Sequence, residues 1–263
     1  MSKCLYTCAM DLFTFLVILH VITGLTGLIA FWVPIATKKG ARTHRTGGKW
    51  ACYGFMGAGA LAVAMALLTL YAPDKRHPEI ADRELFEGLF VWMMLYLGIL
   101  TIGFADYGLS VVKHARSREQ LRRPRTQIVI AAVVASGLYC GYYGWRVGDP
   151  LMMALCVLGV VSMAIQQLFI WRREAPSPKA YVGEHFRALI GMGISAYTAF
   201  MSVGLIRWVP EHVFNPLVWA GPSIVGVSLI IYFTAKGKGH FASKTKAKSG
   251  SKSASVKPRP TSV

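Results

Sequence analysis

The sequence predicts an all-α, polytopic integral membrane bundle of seven transmembrane helices, with the amino terminus outside and the carboxyl terminus cytoplasmic. Three observations carry that expectation. Hydrophobic residues fill 54% of the 263 positions, apolar runs are too long and too closely spaced for a soluble core, and basic residues collect in alternate connections.

A helix needs about 20 apolar residues to cross the hydrocarbon layer. Lipid offers no partner to an unpaired backbone group, so each such run is read as helical. The runs are 11–35, 50–72, 86–111, 127–147, 150–171, 185–208 and 215–234. The first, from Leu12 to Ile35, exceeds the apolar core of a signal peptide and lacks a small-residue cleavage site, so it is read as a retained helix. The second follows the basic stretch KKGARTHRTGGK, Lys38 to Lys49, read as a loop over 36–49. The third ends where a second basic stretch begins. The fourth and fifth are separated only by Gly148-Asp149-Pro150. There Gly frees the backbone and Pro opens the next helix without needing a donor, which predicts a tight hairpin. The sixth opens at His185, and the seventh precedes the tail. Trp32, Trp50, Tyr71, Trp145, Trp171 and Trp208 fall near helix ends, as interfacial anchors do.

Orientation follows from where Lys and Arg lie, because basic residues are retained on the cytoplasmic side. The connections 36–49, 112–126 and 172–187 and the tail 236–263 hold 23 of the 29 basic residues, and the opposite set holds 6. Residues 1–235 are therefore read as the membrane domain. Residues 236–263, rich in Lys, Ser, Gly and Pro, are read as a disordered basic cytoplasmic tail lying near anionic lipid headgroups. The expected location is the plasma membrane of a bacterium, its inner membrane, and the expected partner is the lipid bilayer.

Several function classes are set aside. A net charge of +17 would suggest nucleic acid in a soluble protein, but here the charge lies between apolar runs, and no nucleic-acid partner is expected. Five cysteines, Cys4, Cys8, Cys52, Cys140 and Cys156, form no CxxC pair, so neither a disulfide framework nor a zinc site is indicated. No lysine lies in any span, which leaves a retinal Schiff base without an attachment point. P-loop, HExxH and GxSxG motifs are absent, and catalysis is not expected.

Polar groups at membrane depth are costly and mark candidate sites. His20 shares a helical face with Gly24, Gly27 and Phe31, and small residues at that spacing form helix contact surfaces. It therefore points into the bundle, as a ligand contact, haem ligand or proton carrier, or as one end of an interhelical hydrogen bond. Depth separates it from His185: the two stand on opposite sides of the bilayer middle, so they cannot be axial partners of one haem. His44, His114 and His185 all belong to the cytoplasmic ends of helices, among Arg42, Arg45, Arg116 and Arg187. They are either solvated surface residues or candidates for a cofactor or an anionic headgroup. Asp106, near the inner end of the third helix, is read as a salt-bridge partner or as a titrating group. Gln166, Gln167 and Tyr197 would line a polar cavity or hold helices together.

Two stretches resemble known sequences. LHVITGLTGLIAFW followed by THRTGGKW resembles the opening of a family of bacterial multi-pass membrane proteins defined as a domain of unknown function, with an intramembrane His-x3-Gly and then His-Arg-x-Gly. HFRALIGMGISAYTAF, with FNPLVWAGPSIVG and a closing basic run, is similar to the same family's carboxyl-terminal part. The resemblance implies that His20, Gly24, His44, Arg45, Gly47 and His185 occupy recurrent polar positions. This chain departs where the family places Met four residues after the late histidine and Leu189 stands instead. The family brings no known activity.

The function expected is binding of a lipid headgroup or small ligand at the cytoplasmic face. One alternative is a b-type haem electron-transfer protein ligated by two of His44, His114 and His185. The other is a small-solute or proton-coupled transporter using His20 and Asp106.

Overall fold

The computed structural model describes residues 2–71, 84, 87–173, 179–201, 218 and 220–235, the first ten of them as backbone alone. Among the described residues every regular element is helical. They are α1 (Ser2–Ala36) and α2 (Arg42–Tyr71), a π-helical segment (Glu87–Met93) running into α3 (Met94–Lys113), a short 3-10 turn (Arg118–Arg122), α4 (Pro124–Val147), α5 (Pro150–Trp171), α6 (Ala180–Ala199) and α7 (Ala220–Ala235). Among the described residues five helices are long and apolar enough to cross a membrane: α1, α2, α3 with its π-helical lead-in, α4 and α5. α6 and α7 are shorter or less apolar. The predicted end of the sixth run and start of the seventh, the 236–263 tail, Trp208, and the side chains of Cys4 and Cys8 lie outside the described residues.

Composition alone does not say which apolar helix is central. In α3 and its lead-in, 67% of the most apolar window is buried by protein, against 6% in α1. α3 is accordingly packed by α2, α4 and α6, while α1 lies at the periphery against α2. Polar residues of α3 are satisfied by other helices of the bundle. Tyr96 donates to the Leu155 carbonyl of α5 at 3.0 Å, and Thr101 meets Ser195 of α6 at 2.7 Å. Such bonds hold helices together where lipid offers no alternative.

Small residues fix the closest crossings. A Cβ on Gly54 would lie 2.7 Å from the Gly27 amide nitrogen and 2.9 Å from the Thr23 carbonyl, so α1 and α2 touch backbone to backbone. Gly59 and Gly98 make the equivalent crossing of α2 and α3, where a Cβ on either would meet the other's carbonyl oxygen at 2.8 or 2.7 Å. The α1 face predicted from His20, Gly24, Gly27 and Phe31 is this contact surface: Gly24 faces Ala58, and Phe31 packs on Phe55 and on Gly193 of α6.

Two predicted boundaries are corrected. The loop expected over 36–49 is reduced to 37–41, because α2 starts at Arg42 and runs through Gly47-Gly48. Glycine disfavours a helix interior by about 1 kcal/mol; here Gly47 lies flat on Val33 and Pro34 of α1, so close packing sustains the helix. Likewise His185 does not open the sixth helix but lies five residues inside α6. The hairpin at 148–150 forms as predicted. Gly148 ends α4 in the left-handed region at φ 72°, Asp149 caps α5 by accepting from the Leu151 and Met152 amides at 2.8 and 3.0 Å, and Pro150 follows.

Candidate functional site

The carboxyl ends of α1 and α3 and the amino ends of α2, α4 and α6 meet at one end of the bundle, where Lys and Arg are concentrated. Many of these cations have structural partners. Arg118 donates to the Phe169 carbonyl at 3.0 Å and Arg122 to that of Ile170 at 3.2 Å, closing the last turn of α5. Their guanidinium groups lie over Phe169 and Trp171. Lys39 folds back to cap α1, donating to the Pro34 and Ile35 carbonyls at 2.7 Å each, and stands over the Phe233 ring of α7. Arg125 pairs with Asp106, which is itself buried in α3. Asp106 is thus one half of an interhelical ion pair.

Glu184 is buried one residue before His185, ion-paired to Arg187 and accepting from the Tyr107 hydroxyl at 3.1 Å. Sequence reasoning passed over both Glu184 and Tyr107. The three-residue spacing of Glu184 and Arg187 on one helix is a readable sign of an ion pair. The participation of Tyr107 depends on the packing of α3 on α6 and carries no such sign.

Three of the four candidate histidines share one arrangement. His20 bonds through Nδ1 to the Ala58 carbonyl at 2.9 Å, His44 to that of Pro34 at 3.1 Å, and His185 to that of Gly108 at 2.7 Å. A carbonyl only accepts, so in each ring Nδ1 carries the hydrogen and Nε2 is the free position of the neutral imidazole. None of the three Nε2 atoms bonds to a described residue. His114 caps the end of α3 with its backbone, while its half-buried ring makes no hydrogen bond to the described residues.

Depth sorts these groups. Phe31 lies level with Gly193, and Gly47 with Val33 and Pro34. At 1.5 Å per residue, His44 is about 8 Å and His185 about 12 Å toward the basic end from the Phe31–Gly193 level, whereas His20 is about 16 Å the other way. His44 and His185 thus both lie toward the basic end, about 4 Å apart in depth. His20 is more than about 20 Å from both along the helix axes. It is also about 12 Å in depth from Asp106, measured through the Gly59–Gly98 crossing. The structure places His44 and His185 at the same end of the bundle and leaves His20 and Asp106 apart.

A groove of about 610 Å³ runs between α1 and α2 on the outer surface of the bundle. Its walls are apolar, with Ile29, Ala30, Val33 and Trp50, and its basic end carries Arg42 and Thr43. Arg45 is exposed on the same first turn of α2. That turn holds no acid, and its N-cap position, Ala41, has no side-chain acceptor for the first amides.

Gln167 accepts from Trp171 at 3.1 Å and donates to Gln127 of α4 at 2.7 Å, and Tyr197 donates to the Leu28 carbonyl at 2.9 Å. These groups join helices. The side-chain oxygen of Gln166 is buried without a hydrogen-bond partner among the described residues. Among the described residues no three His, Cys, Asp or Glu side chains are grouped to hold a metal by themselves. No family model matches this chain, and no curated protein or solved structure matches it.

Proposed function

We propose that the protein is a seven-helix integral membrane protein of a bacterial inner membrane, amino terminus outside and carboxyl terminus cytoplasmic, that binds an anionic phospholipid at its cytoplasmic face. Five membrane-length helices support the multi-pass arrangement. The alternating 23-to-6 division of basic residues supports the orientation.

The α1–α2 groove carries the functional reading. Its volume falls within the roughly 300–1,000 Å³ of small-molecule sites, and its walls suit an acyl chain. Arg42 and Arg45 stand at the amino end of α2, where the helix dipole is already positive and cations are disfavoured by about 0.3–1 kcal/mol each. A phosphate at that end relieves the repulsion and meets the first-turn amides.

The test is lipid retention. After purification in mild detergent, native mass spectrometry is expected to show an anionic phospholipid kept in preference to a zwitterionic one, and Arg42→Gln is expected to remove the preference. Equal retention of both lipid classes by the natural chain would sink the reading. For orientation, a single cysteine at position 118 in a cysteine-free background should resist an impermeant maleimide in intact cells; labelling there would invert the topology.

A further inference from the structure

We infer that the α1–α2 groove seats its phospholipid by one acyl chain alone, in a fixed register, so that a single-chain phosphate-bearing lipid, a lysophospholipid, is equally its ligand. This rests on the reading of the groove as a phospholipid site and adds which part of the lipid enters it.

The groove is open to a ligand at one end and apolar along the rest. Its lining runs from Arg42, Thr43 and Thr46 past Val33 and Ala30 to Thr26. Helical threonines elsewhere donate to the carbonyl four residues back, as Thr26 does to Ile22 at 2.8 Å and Thr69 to Met65 at 2.9 Å. Thr43 and Thr46, both exposed, make no hydrogen bond to the described residues. Arg118, Arg122 and Lys39 are bonded to helix carbonyls, and Arg125 and Arg187 to carboxylates. The exposed Arg42 side chain has no such partner among the described residues. A cation and two hydroxyls therefore remain available at the basic end, while the one hydroxyl at the far end is already satisfied. That polarity fits a ligand with an anionic head and a hydrocarbon body.

Width limits the body to one chain. With Gly47 against Val33, Arg42 stands about 18 Å from Thr26 along the groove at 1.5 Å per residue. Dividing the 610 Å³ by that length leaves a mean section of about 34 Å². Carbon atoms in contact lie about 3.5–4.0 Å apart, so one methylene chain needs a lane of about 20 Å² and two chains about 40 Å². The second chain of a diacyl lipid loses nothing by staying outside, because surrounding lipid is as apolar as the groove wall.

Spacing sets the register. Thr46 lies about 6 Å deeper than Arg42 on the same helix. In a glycerophospholipid five or six bonds separate the phosphorus from an ester carbonyl carbon, about 6–7 Å at the roughly 1.2 Å of advance per bond of an extended chain. A phosphate on Arg42 and Thr43 thus places an ester carbonyl at the Thr46 hydroxyl. From Thr46 to Thr26 is about 12 Å, which holds roughly ten carbons of the chain.

The test compares lysophosphatidylglycerol with diacyl phosphatidylglycerol, supplied at equal mole fraction in mild detergent to the full chain and read by native mass spectrometry. The two should be retained within about threefold of each other, because both present one chain and the same head to the groove. Ala30→Phe, which fills the groove midway, should lower retention of both roughly fivefold or more. Leu158→Phe, the same kind of enlargement at an exposed position of α5, should change neither. A larger deficit of the lyso form, with the preference for anionic over zwitterionic diacyl lipid intact, would overturn the single-chain seat and leave the phospholipid reading standing. Absence of that preference would remove the phospholipid reading itself. Undiminished retention of either lipid in Ala30→Phe, or equal losses in Leu158→Phe, would overturn the seat. The comparison of the two lipids needs no variant, so it decides the matter even where Ala30→Phe folds poorly.

Discussion

Replacing Gly54 with alanine probes a backbone-to-backbone crossing of the bundle. A methyl group there would stand 2.7 Å from the Gly27 nitrogen, 2.9 Å from its Cα and 2.9 Å from the Thr23 carbonyl oxygen, all backbone atoms that no rotamer change can move. Relaxed carbon contacts lie at about 3.5–4.0 Å, so α1 must retreat by roughly 0.6–1.1 Å. A retreat of that size stretches the His20–Ala58 bond, now 2.9 Å, beyond useful hydrogen-bond length. Overpacking of this kind costs about 1–3 kcal/mol. Alanine also gains about 1 kcal/mol over glycine in a helix interior, so the reference is Gly48→Ala, where the new methyl meets Pro34 at an ordinary 3.9 Å. Both variants share the propensity gain, and their difference isolates the contact. At about 2–4 °C per kcal/mol for a long chain, Gly54→Ala should melt about 2–12 °C below Gly48→Ala when unfolding in detergent is followed by circular dichroism. Coincident melting curves would refute the backbone contact and the α1 placement built on it.

Three further outcomes are expected. Arg125→Ala should lower thermal stability more than Asp106→Asn, by about 1–3 kcal/mol, because the first leaves a buried carboxylate unpaired while the second leaves an arginine whose side chain is 78% exposed; equal losses would contradict this. Asp149→Ala should cost about 0.5–2 kcal/mol by uncapping α5, and Asp149→Asn, which keeps an acceptor, should melt close to the natural chain; an Asn variant as weak as Ala would remove the cap from the account. In a Cys4→Ser/Cys8→Ser background, maleimide should modify Cys52 and Cys140, both with no exposed surface, only as the protein unfolds. Labelling of either thiol below the transition would contradict its burial.

What the sequence made legible follows from which forces act locally. Long apolar runs and the Gly-Asp-Pro hairpin depend on residues near one another in the chain, and they yielded α5 with both ends right, α4 with its start within a turn, and α1 and α2 with their starts placed more than two turns late. The larger error, treating 36–49 as a loop, came from starting the helix only where the apolar run starts. The packing that sustains the helix through the glycines involves Val33 and Pro34, which the pattern around the glycines does not reveal. The centrality of α3 was equally hidden, since lipid and protein interiors are alike apolar and a hydrophobic run does not say which it faces. At the candidate site, the histidines were conspicuous because imidazoles at membrane depth are rare. Their Nδ1 partners are backbone carbonyls, which every residue possesses and no sequence distinguishes. Glu184 was overlooked because a carboxylate close to basic residues reads as surface until the α3–α6 packing buries it.

The Pro34 carbonyl accepts two donors, Lys39 Nζ at 2.7 Å and His44 Nδ1 at 3.1 Å. That oxygen is therefore insured against the loss of either one. Truncating His44 leaves Lys39 in place, and truncating Lys39 leaves His44, so each single change spares the end of α1 and only the double change strands the oxygen. The two losses should combine to more than their sum. This redundancy allows His44 to be altered without dismantling the helix end that positions it.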